Sequence, residues 1–225
     1  YWYHPHVMSA AQVGFGLTGA LVVEDPTEQI PVAADRVIVL SDIAVQEDGT
    51  LEPPDSGGDA GTVFGREGQV VLVNGQVNPS LTLRAGSLQR WRFVNTAKSR
   101  YFQLVMDGQP FTTIGVDGGL ISSPIERDKV VIAAGERMDI LVAPTGPPGG
   151  QLVLRALPFD RGYGSSEFRA VDDLLTMEFT AQPALPKQPL PKTSRAIVPL
   201  SALQSCGWTY GPGDLIVDLN GWWVP

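Results

Sequence analysis

Cysteine and histidine are almost missing from this sequence. Among 225 residues there is one cysteine, Cys206, and there are two histidines, His4 and His6. A single cysteine excludes a disulfide framework within the chain. Charged residues make up only 18%, the formal net charge is −8, and no Lys/Arg cluster stands out. That balance argues against nucleic acid as a partner. No apolar run approaches the length of about 20 residues that a membrane-spanning helix needs, so no membrane partner is expected. Long amphipathic helices are also missing. Only residues 9–16 suit a short helix, because Ala10, Ala11 and Val13 are followed by a glycine stop. The chain opens on Tyr1-Trp2-Tyr3-His4, without Met or a signal-peptide pattern. That aromatic, strand-like start is expected to be the interior of a longer protein. So is the strand and turn at 214–221, which begins a new unit.

What is present belongs to a globular β protein. Hydrophobic residues make up 43%, with 25 glycines and 19 prolines, a composition that favours a buried core and many turns. Apolar runs are short, rich in Val, Ile and Leu, and bounded by Gly, Pro, Asn and Asp. Strands are expected over 19–24, 36–45, 69–73, 80–83, 89–95, 101–106, 111–116, 129–132, 138–142, 151–157 and 174–180. In Gln89-Arg90-Trp91-Arg92-Phe93-Val94-Asn95 the aromatic rings share one face and the arginines the other, which predicts a half-buried strand. Asn74-Gly75, Asp107-Gly108 and Asp117-Gly118-Gly119 follow apolar runs and suit tight turns. Many short strands with frequent turns predict an all-β Greek-key sandwich or barrel.

The organisation expected is a tail end over 1–31, one complete β domain over 32–182, a linker over 183–213 and the start of another domain over 214–225. Pro183, Pro186, Pro189 and Pro191 give the linker an extended, helix-free path.

The chemical signal is concentrated in Trp2-Tyr3-His4-Pro5-His6. Two imidazoles one residue apart on a strand point the same way, and neutral imidazole suits copper, zinc, iron and nickel. Two donors alone make a poor site, and by spacing alone two histidines near a chain end read as ordinary surface residues. The residues that follow change that reading. The aromatic pair and His4-Pro5-His6 lead into Gln12, then Gly16-Leu17-Thr18-Gly19, then an apolar run ending in Glu24-Asp25-Pro26. In that order they resemble the end of the first cupredoxin domain of laccase-like, three-domain multicopper oxidases. Further stretches resemble the second domain of that family: Val73-Asn74-Gly75, Leu81-Thr82-Leu83-Arg84-Ala85-Gly86, Trp91-Arg92-Phe93-Val94-Asn95, Val116-Asp117-Gly118-Gly119, and Ala134-Gly135-Glu136-Arg137-Met138-Asp139-Ile140-Leu141-Val142. These read as structural. Gly75 and Gly118 serve turns, Gly135 precedes a strand, and Arg137 pairs with a carboxylate; Glu136 and Arg137 are read as structural rather than catalytic.

The resemblance implies a cupredoxin-like Greek-key sandwich, with pieces of the flanking cupredoxin domains. It implies a copper-dependent oxidase that couples one-electron oxidation of phenols, aromatic amines or metal ions to four-electron reduction of O2 to water. In such enzymes a type 1 copper accepts electrons and a trinuclear cluster reduces O2. Carried over, His4 and His6 each bind a different type 3 copper, and the other ligands lie in segments outside these residues. Cys206, in Gln204-Ser205-Cys206-Gly207-Trp208, has no neighbouring histidine and reads as a structural thiol rather than a blue-copper ligand. Met8 stands where relatives often carry another histidine, and packing is its expected role. The resemblance also implies a periplasmic or extracellular location. The fragment alone is expected to be inactive. Residues 1–25 are expected to need a missing segment or an oligomeric partner to cover their apolar face. The alternative is a copper-free cupredoxin protein used for binding or assembly, because fold does not determine function.

Overall fold

Alternation of side chains along an aromatic strand organises this fold. In a computed structural model the described residues are 1–28, 30–53, 56, 58–162 and 171–190, with the strand residues 216–217 and 223–224. The chain begins with β1 (Trp2–Tyr3), α1 (Ser9–Gly14) and β2 (Gly19–Ala20). The sandwich follows: β3 (Ala34–Ile43), a short helix α2 (Gly58–Phe64), β4 (Val70–Val73), β5 (Ser80–Leu83), β6 (Gln89–Asn95), β7 (Phe102–Met106), β8 (Phe111–Val116), β9 (Gly119–Arg127), β10 (Lys129–Ile132), β11 (Arg137–Val142), β12 (Gln151–Leu157) and β13 (Asp172–Phe179). A last antiparallel pair is β14 (Ile216–Val217) with β15 (Trp223–Val224). Cys206 and most of the expected strand and turn at 214–221 lie outside the described residues.

The strands form two sheets, one ordered β4-β3-β6-β11-β8-β9 and the other β10-β7-β12-β13-β5. Neighbours are antiparallel except β3 with β6 and β13 with β5, which are parallel. The two parallel pairs join strands that are not consecutive in the chain, where the path crosses from one sheet to the other and back. The all-β sandwich expected from the turn spacing is therefore present. Its core lies between the sheets and includes Leu40, Trp91, Phe93, Phe102, Leu104, Ile140, Leu154 and Met177, all without solvent exposure. The Trp91 indole N–H donates to Gln89 Oε1 at 3.0 Å, so the one polar atom of that ring is satisfied. At the β3–β4 edge, Asn74 and Gly75 both take positive φ, which a tight hairpin turn requires. The Asn74 side chain fastens that turn to β3 by accepting from Val39 N–H and donating to the Val37 carbonyl.

Strand β6 differs from the half-buried strand expected. Trp91 and Phe93 face the core, but Arg90 and Val94 on the other face are each only 4% exposed. The reason is the chain between β2 and β3. Ile30 and Val32 pack with Leu88, Ile114 and Leu141 into a second apolar cluster outside the six-stranded sheet. Beside it, Glu28 and Asp139 both hold the Arg90 guanidinium, and Arg92 pairs with Asp35 at 2.7 Å. The alternation was correct, but the second face is covered by the chain's own N-terminal segment.

Two elements escape the sequence pattern. Strand β9 runs through Ser122, Ser123 and Pro124 without apolar alternation, and it is an exposed edge strand where proline is tolerated. Helix α2 lies in a Gly- and Asp-rich stretch that reads as a loop. The strand expected over 19–24 shrinks to Gly19–Ala20, because its partner β1 is only two residues long and the ladder ends with it. Residues 183–190 form no helix or strand; Leu185 N–H donates to the Ala85 carbonyl and Arg84 donates to the Pro183 carbonyl.

Replacing Arg90 by Met keeps the length but leaves Glu28 and Asp139 without their shared cation. The expected loss is roughly 2–3 kcal/mol, below the value for a fully buried pair because the two acids keep some water. Urea unfolding measures it, and an unchanged midpoint would show that the cluster contributes nothing to folding.

Candidate metal centre

Strand β1 places Trp2 and Tyr3 on opposite sides. Tyr3 lies opposite Gly19 in the ladder, and its ring covers the spot where any side chain at Gly19 would sit. Glycine leaves room there for that close approach. Trp2 turns the other way, onto the bend before β11. A Cβ built at Gly135 would lie 3.5 Å from the Trp2 six-membered ring, so the indole rests directly on this turn.

The ladder ends at Tyr3, so His4 and His6 lie just beyond the strand rather than on it. Their side chains nevertheless continue the side that Trp2 occupies. The Trp2 and His4 rings stack with centroids 4.2 Å apart and planes 26° from parallel. His4 and His6 stack at 4.8 Å and 27°. His4 is half-buried and His6 is exposed. With its proton on Nδ1, His4 donates to the Pro5 carbonyl at 3.3 Å, which leaves the Nε2 lone pair for a metal.

This arrangement suits metal binding in a limited way. Two neutral imidazoles are good donors for copper. An imidazole lone pair lies in the ring plane, and two facing, nearly parallel rings cannot aim both lone pairs at a single ion. The stack therefore suits one imidazole on each of two ions. Among the described residues no group of three or more His, Cys, Asp or Glu side chains is placed to hold a metal. The pair alone therefore completes no metal site among the described residues.

The segment carrying the pair is held to the sandwich at three places. Trp2 sits on the Gly135 turn. Arg66, itself buried, donates to the Gly14 carbonyl at the end of α1 and to the Glu52 and Pro53 carbonyls. Glu28 pairs with Arg90. Met8 departs from expectation. It does not pack; its side chain is 74% exposed, and its backbone takes a left-handed conformation at the start of α1.

A polar cleft of about 730 Å³ lies between residues 20–30 and the outer sheet, lined by Arg90, Arg92, Arg137, Asp117 and Asp139 among others. The histidines do not line it, and its charges pair with one another. Arg137 lies 3.1 Å from Asp117, the carboxylate partner expected for it, and its backbone N–H also donates to Asp117 Oδ1. Glu136 accepts from Ala133 N–H at 2.7 Å. Both residues do structural work at the turn that carries Trp2. In the sequence Trp2 stands out only as one of an aromatic pair. The period-two spacing of Trp2, His4 and His6 was the available sign that they share one side.

A two-sheet sandwich of this kind, with an imidazole pair at its N-terminal flank, defines a cupredoxin-like protein. The multicopper oxidase family model matches residues 34–167. The chain belongs to the multicopper oxidase family. It is 30% identical over 167 residues to a laccase of Bacillus subtilis (strain 168), covering 68% of this chain and 32% of that protein. It is 34% identical over 152 residues to the cell division protein FtsP of Escherichia coli (strain K12), covering 63% of this chain and 31% of that one. Among solved structures it is similar to the McoA multicopper oxidase from Aquifex aeolicus, with a TM-score of 0.75 and 26% identity over 89% of this chain and 45% of that one. The chain thus spans about a third of the length of the curated relatives it matches.

Burial holds the Glu136 carboxyl above its usual range; the Ala133 N–H opposes this, nearby Asp117 adds to it, and Arg137 opposes it. A carboxyl raised in the folded state binds its proton more readily there than in the unfolded chain. Stability attributable to it therefore falls as pH rises through that window. Glu136→Gln is expected to gain stability over the parent at neutral pH and to lose that advantage below the ordinary glutamate pKa of about 4.3. Urea midpoints at the two pH values test this, and an advantage that grows on acidification contradicts it.

Proposed function

We propose that this chain is part of a laccase-like multicopper oxidase and that His4 and His6 are ligands of its oxygen-reducing copper cluster, each to a different type 3 copper. The observation that carries the reading is the stacked His4–His6 pair, with ring planes that suit two ions, in a member of this family. Bound copper would take electrons singly from a phenol, an aromatic amine or a metal ion, and pass four to O2, which with four protons gives two waters. The chain's own residues hold and orient imidazoles. With its proton on Nδ1, His4 donates a hydrogen bond to the Pro5 carbonyl and keeps the Nε2 lone pair free, and Pro5 restricts the backbone between the two ligands. The type 1 copper ligands and the remaining cluster ligands would come from other segments of the whole protein.

The reading divides the chain into the end of a first cupredoxin domain over 1–31, a second domain over 32–182, a linker over 183–213 and the start of a third domain over 214–225. Exposed apolar side chains at Val7, Phe15, Leu17, Leu21 and Val23 support a covering domain or oligomeric partner over residues 1–25. O2 and a small reducing substrate are the partners proposed. Nucleic acid and membrane are not, in keeping with the acidic balance; among the described residues no helix is long and apolar enough to cross a membrane. The location proposed is the periplasm or the cell exterior, on the family resemblance.

A second reading has its own support. The similarity to a protein named for cell division admits a copper-free member used for binding or assembly. A protein that binds no copper has no chemical need for both imidazoles, which favours the oxidase.

The 225-residue chain, supplied with copper and a phenolic substrate, is expected to show neither blue colour nor sustained oxygen consumption. Sustained consumption would overturn the view that the site is partial. In the whole polypeptide, His4→Ala and His6→Ala are each expected to lower copper content and abolish O2 reduction. Unchanged copper content in both variants would favour the copper-free reading.

A further inference from the structure

The proposed function assigns His4 and His6 but leaves open what aims them. Among the described residues no carboxylate and no side chain of the sandwich fastens either ring; His4 meets Trp2, His6 and the Pro5 carbonyl. Short ladders such as β1–β2 give little rigidity. Yet three rings, from Trp2 to His4 to His6, lie in one continuous stack. The stack starts on a fixed surface. Gly135 stands at positive φ, its N–H donates to the Asn95 carbonyl at 2.9 Å, and Asn95 is fully buried at the end of β6. The Trp2 indole lies on this turn at 3.5 Å from where a Cβ at Gly135 would stand, an ordinary van der Waals contact.

We propose that Trp2 is the positioning residue of the histidine pair. Seated on the Gly135 turn, it sets the plane of His4 and, through His4, the plane of His6, so that the two imidazoles present their nitrogens to two metal ions instead of closing on one. Aromatic stacking supplies a preferred plane and separation at little entropic cost, because an indole has only two side-chain torsions to order. Ligand planes held this way before metal arrives need no reorganisation on binding. This role rests on reading His4 and His6 as metal ligands, but the stack itself exists without metal and is measurable without it.

The chain has two histidines, so its proton NMR spectrum has two imidazole spin systems. In the metal-free chain the His4 ring protons are expected upfield, shielded by the indole, with nuclear Overhauser contacts to Trp2. Trp2→Leu is expected to remove the upfield shift of His4 and to move His6 as well, and Trp2→Phe to restore part of both. Gly135→Asn introduces a side chain that visits positive φ more readily than most, at some strain, and places a larger group beside the indole. It touches neither histidine, so it is expected to shift both only through Trp2. The amide signals of β6 and β11 report whether each variant keeps its sandwich. If Trp2→Leu does not fold, the Overhauser contacts in the unmodified chain decide. Their absence, or histidine signals that ignore both Trp2→Leu and Gly135→Asn in folded protein, overturns the proposal. The copper reading fails separately, when His4→Ala and His6→Ala leave copper content unchanged while the stack is intact.

Discussion

Arg90 sits under a cover that the chain makes for itself, and much of the molecule depends on how that charge is balanced. A guanidinium only 4% exposed would be costly to bury without partners. Asp139 comes from the neighbouring strand β11, and Glu28 comes from the segment that crosses the outer face of the sheet. One cation thus ties the sheet to the chain that precedes it. The adjoining cluster of Ile30, Val32, Leu88, Ile114 and Leu141 adds apolar burial to the same junction. Charge pairing supplies register, and apolar contact supplies most of the attraction. Together they make a six-stranded sheet that is buried on both faces at its centre.

The histidine-bearing segment depends on that junction. Its own secondary structure is slight, with two strands of two residues and a six-residue helix. Elements this short do not persist alone. They are held from outside, by Arg66 at the end of α1, by the Gly135 turn under Trp2, and by Glu28 further along. The stack from Trp2 to His6 grows from the sandwich outward. The sandwich serves as a base, and the histidine pair lies at its margin, where the proposed metal centre would be completed by a second unit.

The same arrangement accounts for the polar cleft beside the tail. Its size would admit a small molecule, but its arginines and carboxylates already neutralise one another. It is the seam between the covering segment and the sheet. The histidines stand apart from it, and their parallel rings suit two ions rather than one. Family membership and ring geometry therefore support the same reading from independent directions: chain similarity bears on the scaffold, and ring planes bear on the ligands.

Much of this protein was legible in the order of its residues. Alternating apolar positions and Asn-Gly or Asp-Gly turns define most sandwich strands, because strand periodicity and positive-φ turns are local properties. The His4-Pro5-His6 spacing by itself reads as ordinary surface histidines, and only the order of the residues that follow, from Gln12 to Pro26, pointed to copper. Strand β9 was not legible, since an exposed edge with Ser122, Ser123 and Pro124 needs no apolar pattern. Nor was the burial of Arg90, because nothing near it in sequence reveals that Glu28, 62 positions away, lies on top of it. The placement of Trp2 on Gly135 is of the same kind. Local sequence determined which strands form and which side chains could bind a metal. Only the tertiary structure decided which faces are covered and what holds the imidazoles, because those depend on contacts between residues far apart in the chain.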